Sequence, residues 1–295
     1  MYKRNNKNKR AALIIVEYSK CMKEKELRRE VAELACEVGE FLATERRKMG
    51  DVVQSEAKGV HDYVTQFDRE SERRIVERLR RLLPSSDFIA EEGTAANTGR
   101  ERYTWIIYPL DGTTNYIHGL APTCVSIGLK DNQKSMEQRR PVMALGVVYE
   151  IWAGECFTAS VDEEEAFLNG TPIRVSESRC LNDSLVATGF PYSDYSKLDE
   201  YMKLLAWTMT GTHGVRRLGS AAADLVYTAC GRCDAFYEYG LKPYDVSAGA
   251  FIVEKAGGIV GDFSGGANWL FGGEMVAANR HVFDELIENI KRFGL

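Results

Sequence analysis

Three segments combine carboxylates with turn-forming residues at spacings that could assemble a metal site. Ile89-Ala90-Glu91-Glu92-Gly93 sets two acids behind an apolar run. Trp105-Ile106-Ile107-Tyr108-Pro109-Leu110-Asp111-Gly112-Thr113-Thr114-Asn115 carries a buried-type strand into a Pro/Gly loop bearing one Asp and two hydroxyls. Tyr244-Asp245-Val246-Ser247-Ala248-Gly249 puts an Asp where a helix should begin. A hard divalent cation such as Mg²⁺ takes oxygen ligands, commonly a few carboxylates completed by water and substrate phosphate. Gly112 would let a phosphate approach the main chain, and free N–H groups at a helix start could hold it. A cation beside that phosphate would neutralise charge and acidify an attacking water. Taken singly, each segment has a plainer meaning. Asp245 reads as a helix cap, Asp111 as a turn residue and Glu91-Glu92 as a solvated pair. Their joint occurrence raises them above that.

The elements that must position these residues are legible from periodicity. Leu27, Val31, Leu34, Ala35, Val38, Phe41 and Leu42 recur at helical spacing, predicting a helix that begins near Glu24. A second helix is expected over 66–83, with Ile75, Val76, Leu79, Leu82 and Leu83 inward and Pro84 helping to stop it. Strands are expected at 88–90, 103–107, 124–129, 144–149 and 155–158. Beyond residue 160, strands at 184–187, 235–238, 259–262 and 275–278 alternate with helices at 198–209, 220–230, 246–256 and 281–293. The chain therefore divides into a disordered extension (1–23), an α+β subdomain (24–160) and an α/β subdomain (161–295) that completes the site. No internal repeat or low-complexity linker separates the last two, so they should pack as one body.

A length of 295 residues suits one large unit or two closely packed subdomains. The net charge of −5 gives no global attraction to nucleic acid or to an anionic membrane. No apolar run is long enough for a membrane-spanning helix. Residues 1–10 are basic and polar, and the short apolar run 11–16 lacks a cleavage site, so no secretory signal is expected. Met22 could be an alternative start. Seven scattered cysteines fit a reducing, cytoplasmic setting better than a disulfide framework. Cys230-Gly-Arg-Cys233 has a CxxC form but no thioredoxin-like surroundings. His118 and His213 read as loop or packing residues, because Mg²⁺ prefers oxygen. Arg78-Leu79-Arg80-Arg81 reads as a solvated helix face, and Arg216-Arg217, near the expected pocket, as a surface pair in preference to a phosphate or substrate contact.

Over nearly all of 24–295 the chain resembles the inositol monophosphatase family. The 105–115 segment matches a signature of the form Trp-Ile-Ile-Asp-Pro-Ile/Leu-Asp-Gly-Thr-Thr-Asn. Tyr244-Asp245 with Glu254-Lys255-Ala256-Gly257-Gly258 resembles the second signature. Val64-Thr65-Gln66-Phe67-Asp68, Ala90-Glu91-Glu92, Leu168-Asn169-Gly170 and Gly219-Ser220-Ala221-Ala222 follow in family order. The resemblance implies a layered αβαβα sandwich, with α+β and α/β portions. It implies metal ligation by Glu91, Asp111, Asp245 and the Leu110 carbonyl, with Mg²⁺ as cofactor. Gly112 and Thr113 would bind phosphate. Asp68 and Thr113 would orient or deprotonate a water near Glu91, making these three the catalytic residues. Asp111, Ala221, Glu238 and Asp245 would receive substrate.

The implied activity is hydrolysis of inositol monophosphate or a similar small phosphorylated polyol, by in-line attack without a phosphoenzyme. A homodimer is implied as well, while the cysteine pattern and net charge argue for a cytoplasmic chain with neither a nucleic-acid nor a membrane partner. Two residues depart from the pattern. Tyr108 stands where the family has an Asp that bridges two metals, so the site loses a negative charge and activity is expected to fall. Tyr244 replaces Trp, which should leave the packing similar. A 3′(2′),5′-bisphosphate nucleotidase, a fructose 1,6-bisphosphatase and a catalytically silent ligand- or partner-binding relative are the alternatives. Asp111-Gly112-Thr113-Thr114 favours the inositol type over the nucleotidases.

Overall fold

The computed structural model describes residues 24–49, 56–59, 62–64, 66–95, 97–192 and 194–295. The extension expected at 1–23 lies outside them. Helix α1 (Glu24–Lys48) buries Leu27, Val31, Leu34, Ala35, Val38 and Leu42, the stripe its periodicity predicts. A short hairpin follows, β1 (Glu56–Gly59) with β2 (Asp62–Val64). Helix α2 (Gln66–Leu82) ends before Pro84, which cannot continue it. Its inward side carries Ile75, Val76 and Leu79, and also two fully buried acids, Asp68 and Glu72, one turn apart.

A seven-stranded sheet comes next, in the order β3-β4-β5-β6-β7-β8-β9. Its strands are β3 (Ser86–Ala90), β4 (Tyr103–Asp111), β5 (Cys124–Asp131), β6 (Met143–Glu150), β7 (Glu155–Ser160), β8 (Ala166–Leu168) and β9 (Thr171–Ile173). The β3/β4 pair is parallel and the rest are antiparallel. β8 and β9 lie beyond residue 160, so this sheet continues to Ile173. Two short helices, α3 (Thr113–His118) and α4 (Asn132–Gln138), extend its connections.

The second sheet has five strands in the order β11-β10-β12-β14-β13: β10 (Leu185–Thr188), β11 (Gly214–Arg216), β12 (Ala235–Tyr239), β13 (Ile259–Gly261) and β14 (Glu274–Ala278). Helices α5 (Leu198–Gly211) and α8 (Arg280–Arg292) cover its outer face, where Tyr201, Leu204, Phe283 and Leu286 meet Tyr237 and Val276. Between the two sheets lie α6 (Ala221–Ala229) and α7 (Pro243–Lys255). With α1 and α2 on the far face of the large sheet, the layers run α-β-α-β-α, the expected sandwich.

Strand alternation decides what faces the middle layer. On β4, Trp105 and Ile107 join the core under α1 and α2, while Ile106 joins the core around α6 and α7. Tyr108 follows Ile106 on that inner side. On β12, Tyr237 and Tyr239 face outward and Phe236 inward, which puts Glu238 inward too.

Helix α7 lies unusually close to the large sheet because glycines remove the intervening side chains. A Cβ on Gly146 would stand 2.8 Å from the Ala248 carbonyl oxygen, and one on Gly128 would stand 2.8 Å from Ser247 Oγ. The helix also starts earlier than its apolar pattern suggests. Pro243 takes its first position, where a missing N–H is harmless, and Asp245 falls inside the first turn. Among the described residues Cys36, Cys124, Cys156, Cys180, Cys230 and Cys233 are all free thiols, and no helix is long and apolar enough to cross a membrane.

Candidate active site

One cavity, of about 980 Å³ including its open mouth, opens where the end of β4, the loop after β3, the start of α6 and the start of α7 converge. Glu91, Tyr108, Asp111, Gly112, Thr113, Ala221, Glu238 and Asp245 all line it. Leu110 is fully buried, and its carbonyl accepts a hydrogen bond from the Thr113 hydroxyl at 3.1 Å. Asp68 is also fully buried and reaches the same hydroxyl, 3.2 Å from Asp68 Oδ1. His118 and His213 are exposed and line no part of the cavity.

The β4 end is shaped by a register break between Tyr108 and Asp111, across Pro109, which has no N–H to give the ladder. Asp111 therefore leaves the sheet toward α6. Its Oδ2 accepts from the Ser220 hydroxyl at 2.7 Å and from the Ala222 N–H at 2.8 Å. Burial pushes the Asp111 carboxyl up to about 6, with the bonds from Ser220, Ala222 and Gly112 pulling the other way. Gly112 caps α3 with φ at 87°, in the left-handed region. A Cβ there would stand 3.1 Å from the Pro122 carbonyl oxygen and 3.3 Å from that of Gly219, so both strain and space require glycine. The first amides of α3 have no carbonyl within the helix to pair with.

The loop after β3 is fastened from beneath. Glu72 accepts from the Glu92 N–H at 2.7 Å, the Thr94 N–H at 2.8 Å and the Thr94 hydroxyl at 2.7 Å. Asp68, Glu91 and Glu92 each present one oxygen, all within 4.8 Å of one another. Across the cavity, Asp245 accepts the N–H of Lys242 and so caps α7 while lining the cavity. The capping reading and the site reading of Asp245 are compatible. Glu238 fills space left by Gly189, where a Cβ would lie 2.0 Å from Glu238 Oε2. Burial first, then Asp245 and Asp111, hold Glu238 well above the usual carboxylate range, with Arg217 opposing.

Tyr108 enters this acidic setting as a neutral phenol. Burial, followed by Glu91, Asp111 and Asp245, raises its ionisation well above that of a free tyrosine. Its ring packs edge-on against Tyr244, with centroids 5.0 Å apart. The two departures from the family pattern are thus in contact: the smaller aromatic at 244 adjoins the larger residue at 108. Glu91, Asp111, Asp245 and the Leu110 carbonyl form an oxygen-only donor set, which suits a hard divalent cation. Tyr108 adds no carboxylate to it.

Sequence reasoning did not single out several residues of the site. Glu72 shares an i, i+4 face with Asp68 and lies on the side of α2 that carries Ile75 and Leu79, so an acid on an apolar stripe was the available signal. Ser220 stood only as a member of the Gly219-Ser220-Ala221-Ala222 motif, with no role of its own, and Asp224, two residues beyond it, carried no distinguishing pattern. Arg217 was expected on the surface with Arg216. Both are exposed, as expected, and Arg217 also lines the cavity, 2.8 Å from the Tyr192 hydroxyl and over the rings of Phe190 and Tyr192.

Known proteins resemble this chain over most of its length. The chain is 40% identical over 245 residues to the Nus factor SuhB of Pseudomonas aeruginosa, covering 82% of this chain and 87% of that protein. It is 36% identical over 241 residues to the Nus factor SuhB of Escherichia coli K12, covering 82% and 87%. Among solved structures, the extragenic suppressor protein suhB of Bartonella henselae superposes with a TM-score of 0.83 at 33% identity, covering 91% of this chain and 99% of that one. The IMPase of Thermotoga maritima gives 0.77 at 33% identity, covering 89% and 96%. A sequence model of the inositol monophosphatase family matches residues 23–293, and the chain belongs to that family.

Proposed function

We propose that this chain hydrolyses small phosphate monoesters with Mg²⁺, acting on inositol monophosphate or a similar phosphorylated polyol, at a rate lowered by Tyr108. The reading rests on one observation: Glu91, Asp111 and Asp245 line the same cavity as the Gly112–Thr113 turn and the Glu238 carboxyl.

Glu91, Asp111, Asp245 and the Leu110 carbonyl would hold the cation. A bound Mg²⁺ supplies charge neutralisation at the phosphoryl oxygens and a more acidic water. Gly112 and Thr113 hold the phosphate against the main chain. Asp68, through the Thr113 hydroxyl, orients the attacking water near Glu91 and receives its proton. Attack proceeds in line, the ester P–O bond breaks, and the departing alkoxide takes a proton from solvent. The products are inorganic phosphate and the free alcohol. Ala221 and Glu238 receive the alcohol portion, with Asp111 and Asp245 at its border. We further propose a homodimer acting in the cytoplasm, as for the family.

The test is phosphate release from inositol 1-phosphate, fructose 1,6-bisphosphate and adenosine 3′,5′-bisphosphate, with Mg²⁺ and with chelator. Mg²⁺-dependent release that is fastest with the inositol ester supports the reading. Faster release from either bisphosphate would reassign the substrate class.

A second reading has its own support. Relatives at 36–40% identity carry the name Nus factor, and Tyr108 removes a carboxylate from the cation site. On that reading the chain is a silent member that binds a partner of the transcription machinery. It would release no phosphate at any Mg²⁺ concentration.

A further inference from the structure

Asp224 stands in the first turn of α6 and lines the same cavity as Ala221 and Glu238. It is 1% exposed, and among the described residues neither of its carboxyl oxygens has a hydrogen-bond partner. Acids in a first turn usually serve as caps. That role is already filled, because Ser220 Oγ accepts the Ala223 N–H. Nor does an ion pair account for Asp224: its charged neighbours include Glu238 and Asp111, which repel it, with Arg217 opposing them. Buried polar groups without partners are rare, because they forfeit hydration without replacement. The missing partner is therefore expected to come from whatever occupies the cavity.

We propose that Asp224 is a specificity-determining residue which, together with Glu238, reads adjacent hydroxyls on the alcohol portion of the substrate. The cavity would then prefer esters of polyols over esters of alcohols without further hydroxyls. This rests on the phosphatase reading for the identity of the ligand, and adds Asp224 to the residues that select it. Like charges in one apolar setting do not both ionise readily, so a proton is retained on the pair. Burial also holds both carboxyls well above their ordinary range. A protonated carboxyl donates one hydrogen bond and accepts others, which is the pattern a hydroxyl needs. Two such groups on facing elements, α6 and β12, fit two hydroxyls of one molecule.

The test is binding, so that it does not depend on turnover. Calorimetric titrations of the full chain with Mg²⁺ would use two probes: the methylene-phosphonate analogue of inositol 1-phosphate, and methylphosphonate, which has no hydroxyls on carbon. The wild-type protein should bind the inositol analogue at least about tenfold more tightly than methylphosphonate. Asp224→Ala should lose about tenfold with the inositol analogue and less than about twofold with methylphosphonate. Asp224→Asn, whose amide also donates and accepts, should stay within about threefold of wild type and controls for folding. Equal losses with both probes for Asp224→Ala, or no loss with either, would overturn the proposal. A wild-type protein that binds methylphosphonate without preferring the inositol analogue overturns it too, and leaves the phosphate site standing. A wild-type protein that binds neither probe overturns both readings.

Discussion

The two ends of the cavity have been treated differently. At the β4 end, where phosphate and cation would meet, one acid position of the family pattern is occupied by a neutral phenol wedged against Tyr244. At the β12 end, where the alcohol portion would sit, stand two buried carboxyls, Asp224 and Glu238. Buried acids without partners reduce stability, whereas replacing a charged ligand by an aromatic that packs well need not. The contrast fits the proposed reading, in which the cavity binds a polyol ester and processes it slowly.

Four substitutions or conditions can break or sharpen that contrast. The largest effect is expected at the β4 end. Asp111→Asn keeps a partner for the Ser220 hydroxyl but removes a ligand charge, and should lower Mg²⁺-dependent phosphate release by more than about 100-fold. Release within about threefold of wild type would remove Asp111 from the cation site.

Next comes pH. Asp111 is raised to about 6 from 3.8 by burial, so the folded chain binds its proton more tightly than the unfolded chain does. Its contribution is fully present below about pH 4 and is lost as pH rises through 6, by roughly 3 kcal/mol in all in the metal-free protein, of which about 2 kcal/mol falls between pH 4 and pH 6. Urea titrations at pH 4 and pH 6 on wild type and Asp111→Asn should isolate that difference. Mg²⁺ should offset it at the higher pH.

Gly146→Ala acts on both ends together, since α7 carries Asp245 and lies against that glycine. The new Cβ would meet the Ala248 backbone, a group that cannot swing away, and should cost about 1–3 kcal/mol of stability. Thermal unfolding measures it, and an unchanged midpoint would mean that helix and sheet separate freely.

The smallest effect belongs to the β12 end. Gly189→Ala would push the Glu238 carboxylate aside, weakening the inositol phosphonate by about tenfold while leaving methylphosphonate nearly unchanged. Equal weakening of both would mean that the two ends do not divide their labour.

The sequence made one kind of information legible and hid another. Long amphipathic helices such as α1 and α8, and the apolar run of β4, announce themselves through periodicity that burial enforces. The acids at 91, 111 and 245 were visible as types in suggestive turns, and family motifs supplied their grouping. Hidden were features set by a few residues of tertiary context. The break in β4 across Pro109 and the six-residue helix α3 are too short to carry a period. β8 and β9, at three residues each, are fixed by their neighbours in the sheet rather than by their own pattern. Glu72 reads as a helix-surface acid until the loop amides of Glu92 and Thr94 are seen to converge on it. The contact between Tyr108 and Tyr244 joins residues 136 positions apart by number, and it changes how both substitutions are understood.

That contact also determines the most direct measurement: Mg²⁺-titrated phosphate release from inositol 1-phosphate by wild type, Tyr108→Asp, and Tyr108→Asp with Tyr244→Trp. Restoring the carboxylate should raise release by at least about tenfold at saturating Mg²⁺ and lower the Mg²⁺ needed. The added tryptophan should raise release further by filling the space the phenol leaves. Release that stays at the wild-type level in both variants would contradict the claim that Tyr108 is what slows this site.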